Sequence, residues 1–144
     1  MVQTRKSKSS IQRVFMIAGE ASGDAYGGML VSELLNAQPT LEIHCWGGDA
    51  MEKAGATCHR HYRTLAFMGI WEVVKNALTI RHRFRECWNQ IEAFQPDVLV
   101  GIDYPGFNLR MARRAKRAGI TTHHYISPSV WAWKKNRIKT IQRD

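Results

Sequence analysis

The segment at residues 15–24, Phe-Met-Ile-Ala-Gly-Glu-Ala-Ser-Gly-Asp, constrains the fold of this chain more than any other part of it. A short apolar run stops at Gly19, polar residues follow at once, and a helical pattern begins at about Ala25. A buried strand that turns through glycines into a helix is typical of α/β domains, where such turns lie at the carboxyl edge of a parallel sheet. The segment therefore predicts a first strand, a ligand-facing turn and a helix that Ser22 can cap.

The rest of the sequence continues this alternation. Predicted strands lie at 13–18, 42–46, 98–102 and 121–126, with a weak strand or loop at 59–64. Predicted helices lie at 24–36, 50–54, 68–94 and 107–118, and another begins at Trp133. Strands that alternate with helices predict an α/β fold, a Rossmann-like parallel sheet with flanking helices on both faces. Because a helical pattern still continues at Asp144, we expect the chain to be the front part of a longer protein.

The charge of the chain favours anionic partners. Lys and Arg number 21 against 12 Asp and Glu, a formal net charge of +9 over 144 residues. Such a surplus suits nucleic acid, acidic lipid or phosphorylated ligands without choosing among them. Residues 1–12 form a basic, Ser-rich tail that we expect to be disordered. No apolar run approaches the ~18 residues of a membrane span or suits a secretory signal. Three cysteines form no disulfide framework, which fits a reducing compartment.

Two carboxylates stand in the first turn. Gly19, Gly23 and Gly27 do not have the Gly-x-Gly-x-x-Gly spacing of dinucleotide sites, and Glu20 and Asp24 would repel a phosphate. They suit sugar hydroxyls or proton transfer better. The alternative is that Ser22 and Asp24 merely cap the following helix, which we expect of Asp24 and not of Glu20.

A third carboxylate, Asp103, ends a strand too apolar to be anything but central. A carboxylate at such a position is a natural general base. The alternative is an N-cap for the next helix, which Asp103 or Asn108 could provide. The segment at 123–133 follows another strand and contains Ser127, Ser129, Trp131 and Trp133. Its tryptophans could stack on sugars or simply pack in a loop.

The long helix has two apolar faces. At 100° per residue, the core stripe comprises Val73, Ala77, Ile80, Phe84, Cys87, Trp88 and Ile91. Trp71, Val74 and Leu78 fall on a different face, beside Arg81 and Arg85. This second face suits either a membrane interface or a packing partner.

Metal and nucleic-acid sites are not predicted. The His-Cys pair at 44–45 and the Cys-His pair at 58–59 are directly adjacent, whereas zinc ligands are typically spaced by two to four residues. No known nucleic-acid module is present in the pattern, so no nucleic-acid partner is expected.

Four motifs together resemble one family, the lipid-A-disaccharide synthases. They are Ala-Gly-Glu-Ala-Ser-Gly-Asp at 18–24, Met-Gly-Ile-Trp-Glu-Val at 68–73, Gly-Ile-Asp-Tyr-Pro-Gly-Phe-Asn at 101–108 and Tyr-Ile-Ser-Pro-Ser-Val-Trp-Ala-Trp at 125–133. They occur in the order typical of the family and extend over nearly all of residues 13–144.

The resemblance implies an inverting glycosyltransferase of the two-domain GT-B type that needs no cofactor. Such an enzyme joins UDP-2,3-diacylglucosamine to 2,3-diacylglucosamine 1-phosphate, releasing UDP, at the cytoplasmic face of the inner membrane. By matching positions, Asp103 would be the general base and Glu20 a second acidic residue in the cleft. The remaining cleft residues would be Ser22, Asp24, Asn108, Ser127, Ser129, Trp131 and Trp133. The choice of proton acceptor between Glu20 and Asp103 stays open.

The resemblance also implies that residues 13–144 form the N-terminal, acceptor-side domain and that the donor-binding domain would follow. We therefore expect no turnover from the chain alone. It also favours membrane or acyl contact for Trp71, Val74, Leu78, Arg81 and Arg85. Other possibilities are a non-catalytic acyl-sugar or membrane-binding half-domain, and a GT-B glycosyltransferase with another acceptor.

Overall fold

The computed structural model describes residues 10–65 and 77–125, which form a parallel sheet of five strands with helices on both faces. The strands are β1 (Arg13–Ala18), β2 (Glu42–Gly47), β3 (Thr57–His61), β4 (Val98–Ile102) and β5 (Thr121–Tyr125). The helices are α1 (Ala21–Ala37), α2 (Asp49–Ala54), α3 (Ala77–Phe94) and α4 (Pro105–Arg117), and a 3₁₀ turn spans Tyr62–Thr64. The strand order is β3-β2-β1-β4-β5, which confirms the Rossmann-like prediction.

Strand β1 divides the core into two layers. Its alternate side chains point to opposite faces of the sheet. Val14 and Met16 pack with Val31 of α1 and Met51 of α2. Phe15 and Ile17 pack on the other face, where α3 contributes Cys87, Trp88, Ile91 and Phe94 and α4 contributes Met111 and Ala115. The strand is thus buried on both faces, as its continuous apolar sequence predicts.

Two helices begin earlier than their patterns predict. Helix α1 begins at Ala21 rather than Asp24, which places Ser22 and Asp24 inside its first turn. Helix α4 begins at Pro105 rather than Phe107, because the fixed φ of proline suits the first helical position. The segment predicted as a weak strand or loop at 59–64 contains the end of β3, which finishes at His61, and then the 3₁₀ turn. Strand β3 pairs with β2 through an irregular register at Cys45 and Trp46.

The described part of the long helix confirms most of its predicted core stripe. Cys87, Trp88 and Ile91 are buried and Phe84 packs against them. Ala77 is exposed, so its predicted place in the core is wrong. Leu78 is 81% exposed, on the predicted second face.

Several predictions fall on residues outside the described ranges. They concern residues 1–9 of the tail, Trp71, Val74, Ser127, Ser129, Trp131, Trp133 and the last predicted helix. At the start of the described chain, Gln12 is held in place, since its backbone N–H donates to Asp97 at 2.8 Å. Among the described residues, no helix combines the length and apolar character that crossing a bilayer requires.

Candidate functional site at the carboxyl edge of the sheet

The candidate site lies where the strand order reverses, between β1 and β4. Ala18 at the end of β1 pairs with Ile102 at the end of β4, so the turns that follow the two strands lie side by side. Helix α1 leads from β1 towards β2, whereas α4 leads from β4 towards β5. Open α/β sheets bind ligands in the crevice that forms at such a switch point. Glu20 and Asp103, which lie far apart in sequence, both follow strand ends at this point.

Glu20 and Ser22 form a hydrogen-bonded pair in the first turn. The Ser22 hydroxyl donates to Oε1 of Glu20 at 2.5 Å, and both residues are exposed. The predicted helix cap by Ser22 is wrong, because Glu20 occupies the N-cap position and Ser22 already lies within α1. The pair presents a carboxylate and a hydroxyl at the edge of the crevice, a combination that can bind sugar hydroxyls.

Asp24 lies in α1 but caps a different helix, α2. Its carboxylate accepts hydrogen bonds from the backbone N–H groups of Gly48 at 2.8 Å, Ala50 at 3.0 Å and Met51 at 3.1 Å. These groups begin α2, whose unpaired donors a carboxylate satisfies well. Asp24 is only 5% exposed. Its observed role is therefore to hold α2 against α1, and its predicted contact with substrate stays a prediction.

The turn after β4 has an uncommon backbone. Asp103 and Tyr104 have φ values of 48° and 53°, in the left-handed region that residues other than glycine seldom adopt. Tyr104, not Asp103, occupies the N-cap position of α4, so the alternative of an Asp103 cap is wrong. Backbone strain of this kind persists where surrounding contacts enforce it, and it concentrates at functional sites. The strain therefore supports a functional reading of Asp103.

Asn108 ties the two turns together. Its Nδ2 donates to the carbonyl of Asp103 at 2.6 Å and to the carbonyl of Ile17 at 3.2 Å. The side chain is 2% exposed and packs against Gly101. Asn108 therefore fixes the Asp103 turn to β1 rather than capping α4, and its predicted contact with substrate is not tested by this arrangement.

Tyr104 is a site residue that sequence reasoning missed. Its ring lies directly on Gly19, where a Cβ atom would collide with it. The ring also stacks on Phe107, with centroids 5.5 Å apart. Burial raises the pKa of the Tyr104 hydroxyl. A glycine at a strand end signals close approach of another group, and this was the available clue.

The long helix, α3, packs on the same side of the sheet as α4. The described residues of its predicted second apolar face, Leu78, Arg81 and Arg85, are all exposed. The structure thus leaves these three residues available to a partner, while Trp71 and Val74 lie outside the described residues.

The strand order and the polar turns at the switch point define a Rossmann-like α/β domain with a ligand crevice at the carboxyl edge of its sheet. The same fold is found in the crystal structure of UDP-GlcNAc 2-epimerase from Neisseria meningitidis bound to UDP-GlcNAc, with a TM-score of 0.50 and 12% identity. That similarity covers 78% of this chain and 32% of the epimerase. The sequence model of the Lipid-A-disaccharide synthetase family matches residues 14–144, and the chain belongs to this family. The predicted resemblance is confirmed.

Curated relatives named lipid-A-disaccharide synthase are similar over nearly the whole chain. The Coxiella burnetii (strain Dugway 5J108-111) protein is 40% identical over 134 residues, which is 93% of this chain and 36% of that protein. The Geobacter sulfurreducens protein is 41% identical over 95% of this chain and 36% of its own length. The Xanthomonas campestris pv. campestris (strain 8004) protein is 44% identical over 90% of this chain and 30% of its own length. The chain thus spans about a third of the length of the curated relatives it matches.

Proposed function

We propose that this chain forms the acceptor side of an inverting glycosyltransferase that makes a β-linked lipid A disaccharide precursor. The donor would be UDP-2,3-diacylglucosamine and the acceptor 2,3-diacylglucosamine 1-phosphate. The observation that carries the proposal is the convergence of Glu20 and Asp103 at the paired ends of β1 and β4. Membership of the family supports it.

In the proposed reaction, the carboxylate of Asp103 takes the proton of the acceptor 6-hydroxyl. The hydroxyl oxygen then bonds to the anomeric carbon of the donor as the bond from that carbon to UDP breaks. UDP leaves with the electron pair, on the face opposite to the attack, which inverts the configuration. One positioned base suffices for such a displacement. The left-handed backbone at Asp103 and the hydrogen bond from Asn108 to the Asp103 carbonyl support this role, because both fix the position of the backbone that carries the base.

Glu20 and Ser22 would bind acceptor hydroxyls beside the base. Ser127, Ser129, Trp131 and Trp133 would complete the cleft. The donor would be bound largely by a second domain. The curated relatives have the length for such a domain, since the match covers only 36% of the Coxiella burnetii protein. The chain alone would then show no turnover.

A chimaera tests this proposal. This chain would replace the matching third of the Coxiella burnetii relative, and disaccharide formation would be measured from the two acylated substrates. Asp103→Asn should lower kcat by about 10³-fold, within the range of a lost general base, and Glu20→Gln should lower it less. Glu33→Gln, an exposed carboxylate elsewhere on α1, is the matched control and should be neutral. Full activity of the Asp103→Asn chimaera would overturn the assignment.

We also propose that the protein acts at the inner face of the inner membrane. The exposure of Leu78, Arg81 and Arg85 on one helix supports contact with an anionic lipid surface. A non-catalytic half-domain that binds acyl sugars or membranes would share this surface. The chimaera separates the two ideas, since a half-domain would bind lipid without supporting transfer.

A further inference from the structure

A groove lies between α3 and α4, beside the candidate site. It has a volume of about 320 Å³, within the range of about 300–1,000 Å³ of ligand pockets. Its apolar walls are Leu65, Ile80, Phe84 and Phe107, and its lining also includes Tyr104, Arg83 and Arg110. Because Tyr104 directly follows Asp103 in the chain, the groove adjoins the turn that carries the proposed base.

The groove continues into a cationic region. A second cavity, of about 400 Å³, shares Phe84 and Arg110 with the first. Its other walls are Arg113, Arg114 and Arg117, all from α4. Together the two adjoining cavities form an amphipathic channel, apolar at Ile80, Phe84 and Phe107 and basic along α4.

The basic end carries an excess of positive charge. Helix α4 contains five cations and no acidic residue. Within the described residues, Arg110 forms no ion pair, whereas the carboxylate of Glu86 on α3 pairs with Arg60 and Arg83. A guanidinium without a counter-ion, such as that of Arg110, binds phosphate well, since it donates several hydrogen bonds in a fixed plane.

We propose that this channel binds a phosphorylated lipid, with one acyl chain between Ile80, Phe84 and Phe107 and the phosphate at Arg110. The inference deepens the proposed function and rests on it for the natural ligand, which would be the acylated, phosphorylated acceptor. Apolar walls alone would accept any alkyl chain, but walls that lead into arginines select an anionic head group.

Dodecyl phosphate, titrated into this chain below its micelle concentration, tests the channel by calorimetry. It should bind about tenfold more tightly than dodecyltrimethylammonium, which lacks the phosphate, or inorganic phosphate, which lacks the alkyl chain. Ile80→Gln should weaken binding about tenfold. Arg110→Gln should weaken it about fivefold and remove the preference for phosphate over the trimethylammonium head.

Matched controls lie on elements away from the channel. Met29→Gln on α1 and Arg63→Gln in the 3₁₀ turn change exposed residues that line neither cavity, so binding should be unchanged. Equal weakening by Met29→Gln and Ile80→Gln would overturn the proposal, since it would indicate adsorption to the protein surface in general. Equal affinity for both alkyl head groups would overturn it as well.

The outcome is separable from that of the glycosyltransferase proposal. Dodecyl phosphate binding requires no transfer, so an inactive chimaera leaves the channel intact. In an active chimaera, Ile80→Gln should raise the acceptor KM about tenfold and leave the donor KM unchanged. An unchanged acceptor KM would overturn the link between the channel and the acceptor.

Discussion

At the scale of single residues, the backbone of Asp103 and Tyr104 links stability to the proposed chemistry. Two consecutive left-handed residues, neither of them glycine, cost free energy that the surrounding fold must offset. Asn108 beneath the turn and Gly19 beneath the Tyr104 ring are the contacts that enforce it. A general base held in this way does not need to be ordered again in each catalytic cycle.

Replacing Asp103 by glycine or by alanine removes the carboxylate but treats the backbone differently. We expect the Asp103→Gly variant to be more stable than the Asp103→Ala variant, with a free energy of unfolding higher by about 1 kcal/mol. The reason is that glycine adopts positive φ without a Cβ clash. Urea denaturation of the two variants measures this difference. Equal stability would show that the turn relaxes out of the left-handed region when Asp103 is changed.

Asp24 should matter for stability rather than for chemistry alone. Asp24→Ala leaves three backbone N–H groups at the start of α2 without their acceptor and should lower the unfolding free energy by about 3 kcal/mol. Glu20→Ala, an exposed carboxylate in the same segment, is the control and should stay within about 0.5 kcal/mol of the parent. A similar small effect for both variants would contradict the capping role.

At the scale of elements, glycine sets how closely α1 approaches α2. A Cβ atom on Gly28 would lie 2.9 Å from the backbone of Ala50, and one on Gly27 would lie 2.6 Å from Sδ of Met51. The close approach brings Asp24 within reach of the α2 amides. The glycines of α1 are therefore required by packing, although glycine is a poor helix former.

The same substitution in two helices separates packing from propensity. Gly28→Ala should lower the melting temperature, since the backbone of α2 must move to admit the methyl group. Gly106→Ala in α4 meets nothing within 4 Å and should be neutral or stabilising by up to about 1 kcal/mol. Thermal unfolding followed by circular dichroism compares them, and a stabilised Gly28→Ala variant would contradict the close contact.

The joint between β1 and the start of β4 should make stability depend on pH. The carboxylate of Asp97 accepts backbone hydrogen bonds from Gln12 at 2.8 Å and Arg13 at 2.9 Å, which lower the pKa of Asp97 below its ordinary value of 3.8. Because the unfolded state binds the proton more readily, this contribution is complete above pH 3.8 and is lost as pH falls through the lower folded value.

Asp97→Asn removes the titrating group and keeps its shape. The variant should be less stable than the parent at pH 6, and the difference should shrink as pH falls below 4. Urea denaturation between pH 3 and 6 gives the comparison. Burial is the largest cause that lowers the pKa of His44 below its ordinary value of 6.5, so His44 also makes stability fall as pH falls, at higher pH than Asp97 does. The parent and the Asp97→Asn variant share this contribution, and it cancels in the comparison. A difference that does not vary with pH would exclude titration of Asp97.

At the scale of the whole molecule, exposed arginines gather on one side of the sheet. Helices α3 and α4 pack on the same face and carry most of the exposed arginines of residues 10–65 and 77–125. The amphipathic channel and Leu78 therefore lie on helices that share one face, and the turn with the proposed base leads directly into one of these helices, α4. An acylated acceptor could pass from a lipid surface to the site without crossing the sheet.

Vesicle binding tests this surface. We expect the chain to bind vesicles that contain phosphatidylglycerol, and the triple variant Leu78→Gln, Arg81→Gln, Arg85→Gln to bind at least about tenfold more weakly, since each lost arginine removes about 1 kcal/mol. A double variant of exposed cations elsewhere, Lys53→Gln with Arg63→Gln, is the control. Equal losses in both variants would indicate nonspecific attraction by net charge.

Much of the architecture could be predicted from the sequence because it depends on local periodicity. Four of the strands, the two-faced burial of β1 and the buried stripe of α3 follow from the order of apolar and polar residues, whereas β3 was predicted only as a weak strand or loop. The positions of Glu20 and Asp103 at strand ends were equally readable. The family resemblance rests on the same local motifs.

Contacts between distant residues were decided by the tertiary structure. The sequence determined that Asp24 would cap a helix, but only the packing of α1 on α2 decided which one, because the recipient amides lie 24 to 27 residues away. Likewise, the left-handed backbone at Asp103, the Tyr104 ring on Gly19 and the amphipathic channel depend on which elements meet in space. Periodicity fixes which face of an element is buried, whereas capping partners, strain and cavities arise where two buried faces meet, and no local pattern records that meeting.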